Sequence, residues 1–526
     1  MTLLQRVFPY LCLVAVLPAQ ERNVFPGDRL PARLKPFSPE RREGAAAIDS
    51  ETLRKWLARL ASREFEGRAT GTPGYEKAAR YVAGKFREFG LSPAGEEGGF
   101  FQPVPFVELK PLPEESRLTV LDGEEREVLR IGLGEGFSGR ISSDSDLSFR
   151  PVFLVARKGE DYRDLSLEGK AVVLVDRGRK TRWGSSEAVS RLWRKRIGCL
   201  FLVDEERASL SPKEGGLIRF AAKEGAGGRR SARNRYYLTM ETAKRLAEAA
   251  GLSGAALSSS KSWTGLPKRP VTFHLRIRVE SKKVFAANVL GILEGTDPEA
   301  SAEILGLGAH LDHLGTREDG TIYYGADDDA SGVTALLAVA KAFTTNPRKP
   351  RRSILFMAFC GEEMGLIGSA WFTDHPAVRL DRMVAELQME MVGRREENLR
   401  TGEKPEDNLN TLHLVGSRKL SGELHRICLE QNRAHIGFSF EFDEERLFSR
   451  SDQLNFARKN IPVVFFFAGF HPQNHTPRDT IDRIDFAKLV RVAKLVYAVA
   501  FEIADRKERI VPDRTWKEVM GGRRRR

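Results

Sequence analysis

His310, Asp312 and His313 stand together directly after an apolar run, Glu303–Ala309. Three consecutive acids, Asp327, Asp328 and Asp329, follow within Gly325–Gly332. Glu362 and Glu363 come just after a second apolar run, Ser353–Phe359, on a glycine-flanked turn. Glu390 lies near the end of a third, Met383–Met391, and His475 follows a fourth, Ile461–Phe467. Each group alone has an ordinary reading. A histidine after a strand is commonly a surface residue, an acidic triplet before a helix suits the helix dipole, and a Glu-Glu turn can be solvated. Five such groups at the ends of apolar runs in one stretch of chain are another matter. Burying that many carboxylates without a cation costs too much free energy. Imidazoles mixed with carboxylates, without thiolates, suit a catalytic zinc pair better than a closed structural zinc.

The elements that position these groups read as strand, glycine turn and helix in alternation after Lys283. Buried strands are expected at Ala287–Leu293, Glu303–Ala309, Ser353–Phe359, Met383–Met391, Thr411–Val415 and Ile461–Phe467. Val333, Leu336, Leu337, Ala340 and Phe343 recur at helical spacing, and Phe486–Ala504 reads as a last helix behind Asp485. That rhythm predicts an α/β layered domain with a mostly parallel sheet, which gathers ligands at the carboxyl ends of its strands. Two helices are expected near the N-terminus, one with Leu53, Trp56, Leu57 and Leu60, the other with Ala78, Tyr81, Val82, Phe86 and Phe89. Between them runs the glycine-rich loop Glu66–Gly74. Residues 112–280 differ in texture, with short apolar strands (Pro151–Ala156, Ala171–Val175, Cys199–Val203), a helix at Thr242–Ala250 and a strict alternation from Val271 to Val279.

The run from His310 to Gly332, together with Phe359–Ser369, Leu387–Arg394 and His475–Thr480, resembles the co-catalytic zinc aminopeptidase family of secreted bacterial aminopeptidases and glutamate carboxypeptidase. Its pattern of His-x-Asp, Gly-Ala-x-Asp-x-x-Ser-Gly, Glu-Glu, an acid and His-Thr-Pro occurs here in order, and Gly67–Gly74 also looks like these enzymes. The resemblance implies a three-layer α/β/α zinc-peptidase domain with a mixed, mostly parallel sheet. It implies two Zn²⁺ ions, with His310 on one, His475 on the other, Asp328 bridging, and Glu363 and Glu390 completing the set. Glu362 would be the general base, and Asp312 would hydrogen-bond the His310 ring. Relatives often have a cis peptide after the bridging Asp, here Asp328–Asp329. Residues 112–280 are similar to the β-rich protease-associated domain often inserted in this family, most clearly at Leu167–Val175.

The sequence departs from the family pattern at three places. Glu390 stands where many relatives have Asp, Gln453 where many have His, and Asn474 replaces a Tyr before His475. The implied activity is release of N-terminal residues from peptide substrates. A carboxypeptidase or dipeptidase, a glutaminyl-cyclase-like zinc enzyme and a non-catalytic binding ectodomain are the alternatives.

Composition and charge bound the remaining possibilities. The 526 residues carry 41% apolar residues and a net charge of +13, which excludes wholesale disorder. No apolar run is long enough to span a membrane. Residues 1–20, with Arg6, the apolar Val7–Leu17 and Ala19, are expected to be a signal peptide for export to the periplasm, cell envelope or exterior. Cleavage near Ala19 would remove Cys12 and leave Cys199, Cys360 and Cys428, read as buried thiols with one disulfide at most. The expected organisation continues with an extended segment 21–47, catalytic parts 48–111 and 281–508 around the insertion 112–280, and a basic tail 509–526. The basic surplus lies in the insertion and the tail, whereas 281–508 is mildly acidic. It reads as a solvated basic face, or as a surface that steers acidic peptides or contacts an anionic envelope. With no reading motif, it does not argue for nucleic acid.

Overall fold

The computed structural model describes residues 34–139, 143–157, 162, 164–177, 187–208, 217–220, 234–317, 319–398 and 402–521. The expected signal peptide, the first part of the segment 21–47, the middle of the basic stretch Arg177–Ile197 and the Arg523–Arg526 run lie outside them. The chain divides into two compact units, Val107–Lys283 and the chain on either side of it, to Phe106 and from Val284.

The flanking unit is built on one mixed sheet. Its main strands are β1 (Ala287–Leu293), β2 (Ile304–His310), β3 (Ser353–Phe359), β4 (Met383–Glu390), β5 (Thr411–Val415), β6 (Ser439–Glu441) and β7 (Val463–Phe467), in the spatial order β1-β3-β2-β4-β7-β5-β6. β3, β2, β4 and β7 run parallel, β1 pairs antiparallel to β3, β5 pairs antiparallel to β7, and β6 is parallel to β5. Every residue of β2 and β3 is buried, as a parallel sheet covered on both faces requires. Leu355, Met357 and Phe359 of β3 pack into a cluster with Phe372, Leu454 and Phe456. Phe356, pointing the other way, meets Phe86 at 6.3 Å. The sheet is therefore the middle of three layers.

The main helices of this unit are α1 (Pro39–Ala47), α2 (Ser50–Leu60), α3 (Pro73–Glu88), α4 (Ala330–Thr345), α5 (Ile367–Asp374), α6 (Gly422–His435), α7 (Gln453–Arg458) and α8 (Phe486–Asp505). Asp49 caps α2 through the Thr52 N–H, Thr72 caps α3 through Tyr75, and Asp485 caps α8 through Lys488. Helix α4 lies deep in the unit, with almost every residue buried. Helix α1 corrects the expectation of an extended stretch through 47. Its contact face is Gly44 and Ala45, too small to register as apolar periodicity. A Cβ on Gly44 would come within 2.5 Å of the Ala342 carbonyl in α4. Among the described residues, no helix is long and apolar enough to cross a membrane.

The Val107–Lys283 unit has its own core. A six-stranded sheet holds parallel strands Pro151–Ala156, Ala171–Asp176, Cys199–Val203 and Arg235–Leu238. A four-stranded antiparallel sheet contains Thr272–Ile277, where Phe273, Leu275 and Ile277 are buried and Thr272, His274 and Arg276 are not. Cys199 in this unit, and Cys360 and Cys428 in the other, are buried free thiols.

Candidate metal centre

Strand register sets the geometry of the site. Gly308 of β2 pairs with Gln388 of β4, so His310 and Glu390, each two residues further on, emerge at the same end and face. His310 pairs with Phe359 at the end of β3, and the turn beyond it brings in Glu362 and Glu363. His310 Nε2 stands 3.3 Å from Asp328 Oδ1 and 3.9 Å from Glu390 Oε2. On the other side of Asp328, His475 Nε2 stands 3.0 Å from Oδ2 and 3.2 Å from Glu363 Oε2. Asp328 thus presents one oxygen to each of two His-and-carboxylate groups. The five expected ligands come together around it.

The neighbours of Asp328 face away from that point and hold the loops. Its peptide bond to Asp329 is cis. The Asp329 carboxylate accepts the N–H groups of His310 (3.2 Å), Gly332 (2.9 Å) and Met391 (3.0 Å), tying together β2, the start of α4 and the end of β4. Asp327 accepts the Gly393 N–H at 2.7 Å. The N–H groups of Asp327 and Asp328 both donate to the buried Asp479 carboxylate. Gly325 is required where the loop turns: its φ is +54°, and a Cβ would lie 2.2 Å from the Asp328 carbonyl and 2.5 Å from the His313 ring.

Arg68, fully buried in the glycine-rich N-terminal loop, reaches the same place from another element. Its guanidinium donates to the carbonyls of Leu60, Leu311, Tyr324 and Gly325 at 2.7–2.9 Å. It therefore joins the loop after His310 to the loop before Asp328. Burial lowers its pKa to about 10, opposed by Asp329, Asp479, Asp328 and Asp312.

Asp312 is placed differently from expectation. The His310 ring Nδ1 lies 3.1 Å from the Asp312 backbone carbonyl, while the Asp312 carboxylate is 3.9 Å away. Beyond β2 the chain turns the carbonyl toward the ring, which leaves the side chain free to accept the Glu362 N–H at 3.1 Å. The ring is still oriented, but by the main chain. Asn474, in place of an aromatic residue, donates to Asp328 Oδ2 at 2.9 Å. Gln453 is buried and donates to the Phe448 carbonyl at 2.9 Å, with no bond to any of the five ligands.

Charge in the site is unbalanced toward the carboxylates. Burial alone would lower His310, but Glu362, Asp329, Asp328 and Glu390 hold it well above its usual pKa. His475 is likewise opposed by burial and pushed up to about 11 by Asp328 and Glu363. Burial raises Glu390 to about 8. Burial also raises Glu362 well above the carboxylate range, with Glu390, Glu363 and Asp452 adding to the effect and His310 opposing it. Glu363 moves the other way, to about 2, because His313 and His475 outweigh burial and Asp328. His310 Nε2 and Glu390 Oε2 are buried without a hydrogen-bond partner. Mixed imidazole and carboxylate donors, two of them orphaned, around a bridging carboxylate fit divalent ions of the zinc type.

Sequence reasoning assigned no role to His313, Arg68, Asp329 or Asp479. His313 and Asp329 stood inside the quoted motifs. Arg68 stood inside the Gly-Arg-x-x-Gly-Thr-Pro-Gly run of Gly67–Gly74 and Asp479 inside His475–Thr480, where nothing in the pattern says that either hydrogen-bonds distant backbone. A further group, Glu396, His413 and Glu441, also brings candidate donors together. There His413 hydrogen-bonds Glu396 at 2.9 Å and Asp443 at 3.1 Å, and burial is outweighed by these carboxylates, raising it to about 10. Both ring nitrogens of His413 are thus already engaged by carboxylates, Glu396 on the buried side and Asp443 on the exposed side.

The chain is similar to several known proteins. Aminopeptidase YwaD of Bacillus subtilis is 29% identical over 193 residues, 35% of this chain and 39% of that protein. A probable leucine aminopeptidase of Trichophyton verrucosum is 26% identical over 215 residues, 39% of this chain and 56% of that protein. The matched segments thus span about two-fifths to just over half of these relatives. Among solved structures, the fold is like that of an aminopeptidase from Aneurinibacillus sp. strain AM-1, with 20% identity, TM-score 0.53, and 90% of this chain and 98% of that one covered. A zinc aminopeptidase from Bacillus subtilis has 18% identity and TM-score 0.50, with 88% and 96% covered. Residues 288–500, which hold all five candidate ligands and Glu362, match Peptidase family M28. Over that segment the chain is similar to Peptidase family M28.

Proposed function

We propose that this chain is an exported, zinc-dependent exopeptidase that releases N-terminal residues from peptides. The observation that carries the reading is Asp328, one oxygen facing His310 and the other His475, with Glu390 and Glu363 alongside. His310, Asp328 and Glu390 would hold one ion, and Asp328, Glu363 and His475 the other. Bound there, two zinc ions supply Lewis-acid polarisation of the peptide carbonyl and acidification of water toward neutral pH. The protein's own contribution is proton handling. Glu362 takes the proton of the attacking water and returns it to the departing amine. The Glu362 N–H, held by Asp312, fixes the turn that aims it. Residues 1–20 support export by their sequence, and Val107–Lys283 is read as a protease-associated unit.

The test is hydrolysis of amino-acid anilides and of their N-blocked equivalents by purified protein, with and without chelator. Cleavage of unblocked substrates alone, lost on chelation and restored by Zn²⁺, is expected. Cleavage of N-blocked peptides alone would overturn the aminopeptidase reading in favour of a carboxypeptidase.

A further inference from the structure

The second half of the centre contains one imidazole more than its motif provides. His313 is buried, and its Nδ1 stands 2.9 Å from Glu363 Oε1 and 3.8 Å from Asp328 Oδ2. His475 Nε2 approaches the same two carboxylates from the other side, at Glu363 Oε2 and Asp328 Oδ2. The two rings lie edge to face with centroids 5.7 Å apart. Donor atoms of His313, Asp328 and Glu363 all lie within 4.8 Å of one another. The spacings match those of the His310 half, 3.3 and 3.9 Å. General zinc geometry places N and O donors about 2.0–2.2 Å from the ion, so donors sharing one lie ~3–4 Å apart.

The two imidazoles differ in how firmly they are held. His475 is 42% exposed and sits in a loop with a left-handed φ of +54°. The His313 side chain is fully buried, packed under Gly325, and the His313 backbone N–H donates to the Arg68 carbonyl at 3.2 Å. Its Nε2 is buried without a hydrogen-bond partner. A ring held for structure alone would ordinarily use both nitrogens. With Nδ1 turned to the carboxylates, the ring offers its one directed interaction to the position between Asp328 and Glu363.

We propose that His313 is a fourth protein ligand of the ion at Asp328, Glu363 and His475. The inference rests on the two-ion reading given above. It makes the halves unequal: His310, Asp328 and Glu390 on one side, two imidazoles with Asp328 and Glu363 on the other. The second ion then keeps three protein ligands when the exposed His475 is withdrawn.

The experiment is titration of metal-free full-length protein with Co²⁺, read by visible absorption and by metal content after gel filtration. Wild type, His313→Asn, His475→Ala and the double variant are compared. Asparagine at 313 retains a donor for Glu363 but removes the imidazole, which separates ligation from hydrogen bonding. Expected are two ions in wild type, an altered cobalt spectrum in His313→Asn, and a second-ion affinity weakened beyond the ~10–100-fold of a lost outer partner. His475→Ala should keep a measurable second ion, and the double variant should bind only one. A His313→Asn protein with the wild-type spectrum and second-ion affinity would overturn the assignment and leave His313 as a positioning residue for Glu363. Fewer than two ions in wild type would instead overturn the two-ion reading itself.

Discussion

The carboxylate of Asp312 accepts the backbone N–H of Glu362 at 3.1 Å, linking the chain just past His310 to the turn that carries the proposed base. Both lie in the site, yet their tie runs through main chain on one side only. Asp312→Ala should therefore leave the fold intact and let the Glu362 turn relax. The expected outcome is a kcat lower by about 10–100-fold, with KM little changed. Asp312→Asn, which keeps an acceptor oxygen, should recover most of it. Steady-state kinetics on an amino-acid anilide, with metal content measured in parallel, checks this. A rise in KM at constant kcat would point instead to a role in substrate binding.

Glu362→Gln removes the proposed proton carrier without changing its size. Turnover should fall by about 10²–10⁴-fold while both ions remain bound. The same change should leave the thermal midpoint little altered, because the amide keeps the size and shape of the carboxyl it replaces. Activity within a few-fold of wild type would remove Glu362 from the role.

Arg68 should matter more for stability than its place in an N-terminal loop suggests. Its side chain is fully buried and donates to four carbonyls. Arg68→Ala strands those carbonyls and opens a cavity, and Arg68→Lys replaces a planar fork with one ammonium that cannot reach all four. A loss of at least about 3 kcal/mol is expected for the alanine variant, seen as a thermal midpoint lower by roughly 5 °C or more. Differential scanning calorimetry of the full chain checks it, and an unchanged midpoint would show that the loops hold without Arg68.

Much of this architecture was legible because burial leaves a strong pattern. β1, β3 and β5 begin and end where the apolar runs Ala287–Leu293, Ser353–Phe359 and Thr411–Val415 do. The five candidate ligand positions were readable because motif residues cluster at strand ends, where register gathers them. What escaped reading was carried by main-chain geometry or by residues without pattern. The choice between the Asp312 carboxylate and its carbonyl depends on how the chain turns after His310, which spacing does not encode. Helix α1 packs through Gly44 and Ala45, whose contribution is closeness rather than hydrophobicity. Helix α6 buries only Leu424, Ile427, Cys428 and Asn432, too few apolar positions to stand out among charged residues. Arg68 and Asp479 act by hydrogen-bonding backbone from distant loops, and nothing local marks a residue for that work.

His425 supplies a pH test away from the metal centre. On α6, it lies beside the Ser417 hydroxyl at 2.8 Å and edge to face with Phe442 at 5.5 Å. Burial, reinforced by Arg418, lowers its pKa from 6.5 to about 4. The sign follows from which state binds the proton. Between about pH 6.5 and 4 the unfolded chain protonates this ring and the folded chain does not, so its contribution is intact above 6.5 and declines as pH falls. Below about pH 4 both states are protonated and the decline stops. Titrating carboxylates affect the absolute stability over the same range, so the quantity to follow is a difference. Thermal midpoints of wild type and His425→Gln, measured from pH 7.5 to 4, should diverge least at low pH, with any advantage of wild type shrinking across that interval. A difference independent of pH would mean that the folded state protonates His425 as readily as the unfolded chain does.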